Sequence, residues 1–113
     1  KDDERGLRNV ALRQEPKFEA LKEVADRMGA TLIVGWTSLP GEDYGSYEWL
    51  RAWAEKNDIG FADWHPTVTS VRNAIPEIPV ANPHSSGHYR TWINSIIARV
   101  YAEQVEKSPR PES

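Results

Sequence analysis

The sequence predicts an α/β fold with parallel strands, and three observations predict it. Two short apolar runs, TLIVGW at 31–36 and GFADW at 60–64, each lie between amphipathic stretches. Those stretches repeat apolar residues every three and four positions, which is the helical period. Strands that alternate with helices are joined by right-handed crossovers, so they run parallel and are buried between helical layers. Only two strands are legible, and a two-stranded parallel sheet leaves both edges open and both faces needing cover. The expected architecture is therefore the second half of a larger doubly wound domain, occupying residues 15–107.

Each element has its own signal. Half of residues 1–14 are charged, and the stretch reads as a loop or a loosely docked lead-in. Pro16 suits a first helical turn. From there Phe18, Leu21, Val24, Ala25 and Met28 form one helical face, which Gly29 ends. The run at 31–36 is continuously apolar, as a buried parallel strand should be. Pro40–Gly41 marks a turn in the loop at 37–45. A second helix follows over 46–59, with Tyr47, Leu50 and Trp53 or Ala54 on its buried face and Ser46 as its cap. After the strand in GFADW, residues 65–75 form a short helix with Pro66 at its start. Residues 76–83 contain three prolines and form an extended loop. The last and longest helix is expected near 87–106, with Trp92, Ile93, Ile96, Ile97, Val100, Tyr101 and Val105 as its stripe. Residues 108–113 form a disordered tail.

Composition narrows the function. The net charge is −3 and no Lys/Arg cluster is present, which excludes nucleic acid as a partner. The absence of cysteine excludes disulfides and thiolate metal sites. No apolar run approaches the ~20 residues that span a bilayer. Hydrophobic residues make up 39% of the chain, and the five tryptophans add large buriable surfaces to a modest core. The sequence opens on Lys1, so a targeting signal, if the protein has one, is expected to lie outside these residues, and composition leaves the compartment open.

In open α/β sheets, functional groups gather outside the carboxyl ends of the strands. Three loops meet that condition: 37–45, 63–66 and 81–88. The last carries two of the three histidines, His84 and His88. A histidine on a loop just before a well-packed helix suits a general base for a serine nucleophile. Such a base also needs a carboxylate to fix its tautomer. The plainer alternative for His84 is a loop or capping histidine with a solvated ring. His88 reads as a first-turn residue, and Ser85 and Ser86 read as helix caps rather than nucleophiles. Asp63 and His65 lie two apart and could form half of a metal site, but no third ligand is evident, so a metal is not expected there. The plainer reading of Asp63 is a strand-end residue capping the next turn. The tryptophans are mostly core, although Trp36 and Trp64 lie near strand ends where they could line a substrate pocket.

The segment ANPHSSGHYRTWINSIIARVYAEQ, 81–104, resembles the last conserved block of SGNH (GDSL-type) serine hydrolases. There an Asp-x-x-His motif precedes a short polar stretch, often Gly-His, and a C-terminal helix. Upstream, ATLIVGWTSLP at 30–40 is similar to the family's late strand and loop. YEWLRAWAEKNDIGFADW at 47–64 is similar to a helix and strand that commonly end in aspartate. The resemblance covers about residues 16–106. It implies the C-terminal half of a flavodoxin-like, three-layer α/β/α domain that cleaves carboxylic esters or carbohydrate O-acetyl esters by a Ser-His-Asp mechanism without metal or organic cofactor. In the preferred register His84 takes the serine proton and returns it to the leaving alcohol. The Asp position then falls on Ala81, with Asn82 a neutral near-isostere. Matching Gly87 and His88 to the family's Gly-His instead places Asn82 at the catalytic position. The carboxylate is missing from its place in both registers, and Asp63 is the nearest substitute.

The family's nucleophile and oxyanion blocks are also not found. GEDYGS at 41–46 has the right letters after the wrong strand. The implied partners are thus the N-terminal half of the same domain and a small ester or acylated carbohydrate. The resemblance favours a secreted or periplasmic location. Two rivals stand beside it: a non-catalytic binding module of the same fold, which Ala81 favours, and a small αβ interaction domain.

Overall fold

A computed structural model describes residues 2–41, 45–84 and 88–108. The elements follow the order α1 (Asp2–Met28), β1 (Ile33–Val34), α2 (Ser46–Lys56), β2 (Gly60–Phe61), α3 (His65–Ala74) and α4 (Thr91–Lys107). The two strands pair in parallel, with Ile33 opposite Gly60 and Val34 opposite Phe61. The mixed α/β character and the parallel pairing follow the sequence reading. The strands are shorter than their apolar runs, because only two residues of each meet in register.

Side chains alternate across a strand, so the sheet sorts its neighbours into two layers. Val34 joins Leu50, Trp53 and Ala54 of α2 in one core cluster, against which Phe18 of α1 packs. Phe18 lies 5.7 Å from the Trp49 ring and 5.5 Å from the Trp53 ring, and the Trp53 indole donates to Glu19 at 2.8 Å. On the opposite face, α4 covers the sheet through Tyr101 above Gly35 and Gln104 above Gly60. A second cluster, Leu39, Trp64, Val68 and Ile93, joins α3 and α4 to the loops after the strands.

Three expectations are corrected. Residues 2–15 are helical and continuous with α1, not a loop, and Pro16 lies inside the helix. Nine of the fourteen residues in that stretch are arginine, leucine, glutamate, alanine or glutamine, which are strong helix formers. Pro16 removes the amide that would bond the carbonyl four residues earlier and crowds that carbonyl with its ring, a cost the flanking helix formers offset. Ser46 is the first residue of α2 rather than its cap; Gly45 takes the cap position at φ 92°. Lastly, α4 begins at Thr91 with Arg90 as its cap residue, and at 17 residues it is shorter than the 27-residue α1. Residues 88–90 are held out of the helix by strand-like pairing: Tyr89 bridges Ala81 in antiparallel fashion, and the Arg90 amide donates to the Val80 carbonyl at 2.9 Å. Ser85, Ser86 and Gly87, expected as cap and first turn, lie outside the described residues, as do 109–113 of the expected tail.

The face of α1 is only half used. Ala25 is buried, but Leu21, Val24 and Met28 are 50%, 46% and 75% exposed. The radius of gyration is 15.9 Å, against about 13 Å for a compact chain of this length. Among the described residues, no helix is long and apolar enough to cross a membrane.

Tyr101 lies close against Gly35. A Cβ there would overlap the Tyr101 hydroxyl and come within 3.3 Å of the Ala62 carbonyl. Gly35→Ala is therefore expected to destabilise the chain by about 1–3 kcal/mol through overpacking. Combining it with Tyr101→Phe should recover part of that loss, since the two sites share one contact. Urea denaturation of the two single variants and the double variant checks this. Strict additivity would contradict the contact.

Candidate functional site

The chain leaves β1 through Trp36, Thr37 and Ser38, and each of these three carbonyls accepts a hydrogen bond from a ring. The Trp64 indole donates to the Trp36 carbonyl at 2.9 Å. The Tyr89 hydroxyl donates to the Thr37 carbonyl. His65 Nε2 lies 2.6 Å from the Ser38 carbonyl. The donors come from three places: the end of β2, the start of α3, and the segment entering α4. The loops after both strands and the hairpin at 80–90 are therefore drawn together at the carboxyl end of the sheet.

His65 and Tyr47 form the polar centre of this end. A carbonyl only accepts, so Nε2 of His65 carries the proton and Nδ1 is left as the second ring nitrogen. The ring is 5% exposed, stacks on Tyr47 at 4.1 Å, and meets Trp64 edge-on at 4.7 Å. The Tyr47 hydroxyl donates to the Asp63 carboxylate, 2.7 Å from both oxygens. Burial, then the hydrogen bond and the charge of Asp63, raise the Tyr47 phenol above its ordinary pKa. A shallow pocket of about 450 Å³ opens beside this group, bordered by Pro40, Tyr47, Glu48, His65 and Thr69.

The residues singled out in the sequence are placed as follows. Asp63 accepts from Tyr47, and among the described residues no hydrogen bond or ion pair links it to His84. Trp64 is 1% exposed, so it is a core residue rather than a pocket wall. Trp36 packs on the α2 cluster, and its buried indole nitrogen has no partner among the described residues. His84 and Ala81 are exposed. Asn82 turns inward on its own loop: its side-chain oxygen accepts from the His84 amide at 2.9 Å, and its amide donates to the His88 carbonyl at 2.9 Å. The Arg90 guanidinium donates to the Ala81 carbonyl at 2.8 Å. Among the described residues, no group of three or more His, Asp or Glu side chains is arranged to hold a metal.

Sequence reasoning assigned Tyr47 to a core face and weighed His65 only as half of a metal site. It did not single out Tyr89. Their common signal was present, however: each lies within or beside one of the three loops at 37–45, 63–66 and 81–88, and each is a ring with a polar edge. Searched against protein-family models, curated proteins and solved structures, the chain has no match.

Tyr47 provides a pH test. Its folded pKa lies above its unfolded value, so its contribution to stability is fully present below about pH 10 and is lost as pH rises through the folded pKa. Urea midpoints should fall on alkalinisation above about pH 10, and Tyr47→Phe should make that fall shallower. An identical alkaline profile in the variant would contradict the Tyr47–Asp63 assignment.

Proposed function

We propose that this chain is the C-terminal part of an SGNH-type ester hydrolase domain, with His84 as its general base. The observation that supports this best is the Tyr89 hydroxyl on the Thr37 carbonyl, together with the Ala81–Tyr89 bridge. Together they tether the loop bearing His84 to the carboxyl end of a parallel sheet, where α/β folds assemble their sites. In this reading a preceding segment brings the serine and oxyanion donors to that end. His84 takes the serine proton as the acyl carbon is attacked, then returns it to the departing alcohol. The substrate is a carboxylic ester, such as an O-acetylated carbohydrate, and the reaction uses no metal. A secreted or periplasmic setting fits the resemblance.

A second reading is a binding module of the same fold that does not turn over its ligand. Ala81 favours it, since a methyl occupies the position expected for the triad carboxylate, and no carboxylate among the described residues bonds the His84 ring.

The test is an activated acetyl ester. The hydrolase reading expects no turnover from the chain alone and measurable turnover from the completed domain. There, His84→Ala should lower kcat about 10²–10⁴-fold with an unchanged circular dichroism spectrum. Ala81→Asp should raise kcat, and His84→Ala should remove that gain. Unaltered kcat on loss of the imidazole would overturn the base assignment and favour the binding module.

A further inference from the structure

Among the described residues, no strand pairs with the outer edge of β1. The Ala62 amide donates to the Val34 carbonyl, so Val34 directs its backbone groups toward β2. Backbone direction alternates along a strand, so the N–H and C=O groups of Ile33 and Gly35 face the opposite edge. Neither residue makes a further backbone hydrogen bond to another described residue there. The unpartnered, buried indole nitrogen of Trp36 lies one residue on. Leu21, Val24 and Met28 lie roughly 40–120° around α1 from its core-facing Phe18 and Ala25, at 100° per residue, and they are about half exposed or more. An unpaired backbone edge, an unpartnered buried indole nitrogen and an exposed apolar stripe therefore occur together at and above this strand.

Handedness then selects the occupant. The crossover from β1 to β2 passes through α2, and α1 packs against α2 on the same side of the sheet. A parallel strand leading into α1 would make the same right-handed crossover on the same face. It must then step in the same direction across the sheet. That places it beside β1, on the side away from β2. We infer that the outer edge of β1 receives a parallel β-strand that precedes α1 in sequence, with its apolar residues under Leu21, Val24 and Met28. This inference shares with the hydrolase reading the need for a larger sheet. Its test measures strand pairing instead of ester cleavage, so either can fail alone.

The experiment appends an alternating valine–threonine strand of about seven residues before Lys1, joined to it by a glycine–serine loop of about twenty residues, because Asp2 lies about 24 Å along α1 from Phe18. Amide hydrogen exchange is then followed by NMR. The expected result is exchange slowed at least about tenfold at Ile33 and Gly35, with the Phe61 amide unchanged, in a species that sediments as a monomer. Such a slowing corresponds to a pairing constant of about ten or more. Ile33→Pro provides the second variant. It removes an outward-facing donor, so it should leave the β1–β2 pairing and the helical signal intact, yet abolish the added protection at Gly35. Unchanged exchange at both amides would overturn the inference. So would protection at Phe61 instead, or equal protection in the chain without the added strand, through self-association.

Discussion

Three consecutive carbonyls after β1 hold the carboxyl end of this fold together. A strand leaving a parallel sheet exposes backbone acceptors that no neighbouring strand can satisfy. Left buried and unpaired, each would cost about 1–3 kcal/mol. Here Trp64, Tyr89 and His65 supply the missing donors. Each donor is also an aromatic ring, so the same side chains fill the space above the loop: Trp64 is fully buried beside Leu39 and Ile93, and His65 is stacked on Tyr47. One set of rings therefore supplies hydrogen bonding and packing at once. This matters in a chain whose sheet is only two residues deep.

The consequences run outward from that loop. With Trp64 fixed, α3 starts from a defined position, and Val68 is directed onto Ile93 of α4. With Tyr89 fixed, the segment before α4 is kept extended, and Ala81 and Val80 pair with it. The histidine-bearing loop then projects from a two-stranded stem rather than from the first turn of a helix. His84 thus stands on the surface at the end of the sheet where α/β folds gather their functional groups, while His65 is buried and borders the pocket beside Tyr47.

Much of the fold was legible because its signals are local. The apolar runs at 31–36 and 60–64 gave the strands. The spacing of Leu50, Trp53 and Ala54 gave the buried face of α2, and Pro66 marked the start of α3. Where the reading failed, a local signal competed with a distant one. Pro16 resembles a helix start, yet good helix formers before it carry α1 back to Asp2. His88, Tyr89 and Arg90 resemble a first turn, yet the bridge to Ala81 keeps them extended. Periodicity also overstated the core: Leu21, Val24 and Met28 share a helical pattern with Phe18, but only part of that stripe has a surface to cover it. The candidate site was less legible than the fold. Its decisive bonds join residues 27, 28 and 52 positions apart, and no spacing rule connects Tyr89 to Thr37.

The central claim is that the carboxyl end is organised by rings bonded to the 36–38 carbonyls, and the most direct test is hydrogen exchange at the Trp64 indole. Its N–H bonds the Trp36 carbonyl inside the core, so its release requires the loop, α3 and α4 to separate. The account predicts that this hydrogen exchanges only as slowly as the best-protected amides of α2, through global unfolding. Exchange at the rate of a free indole, with the α2 amides still protected, would contradict it.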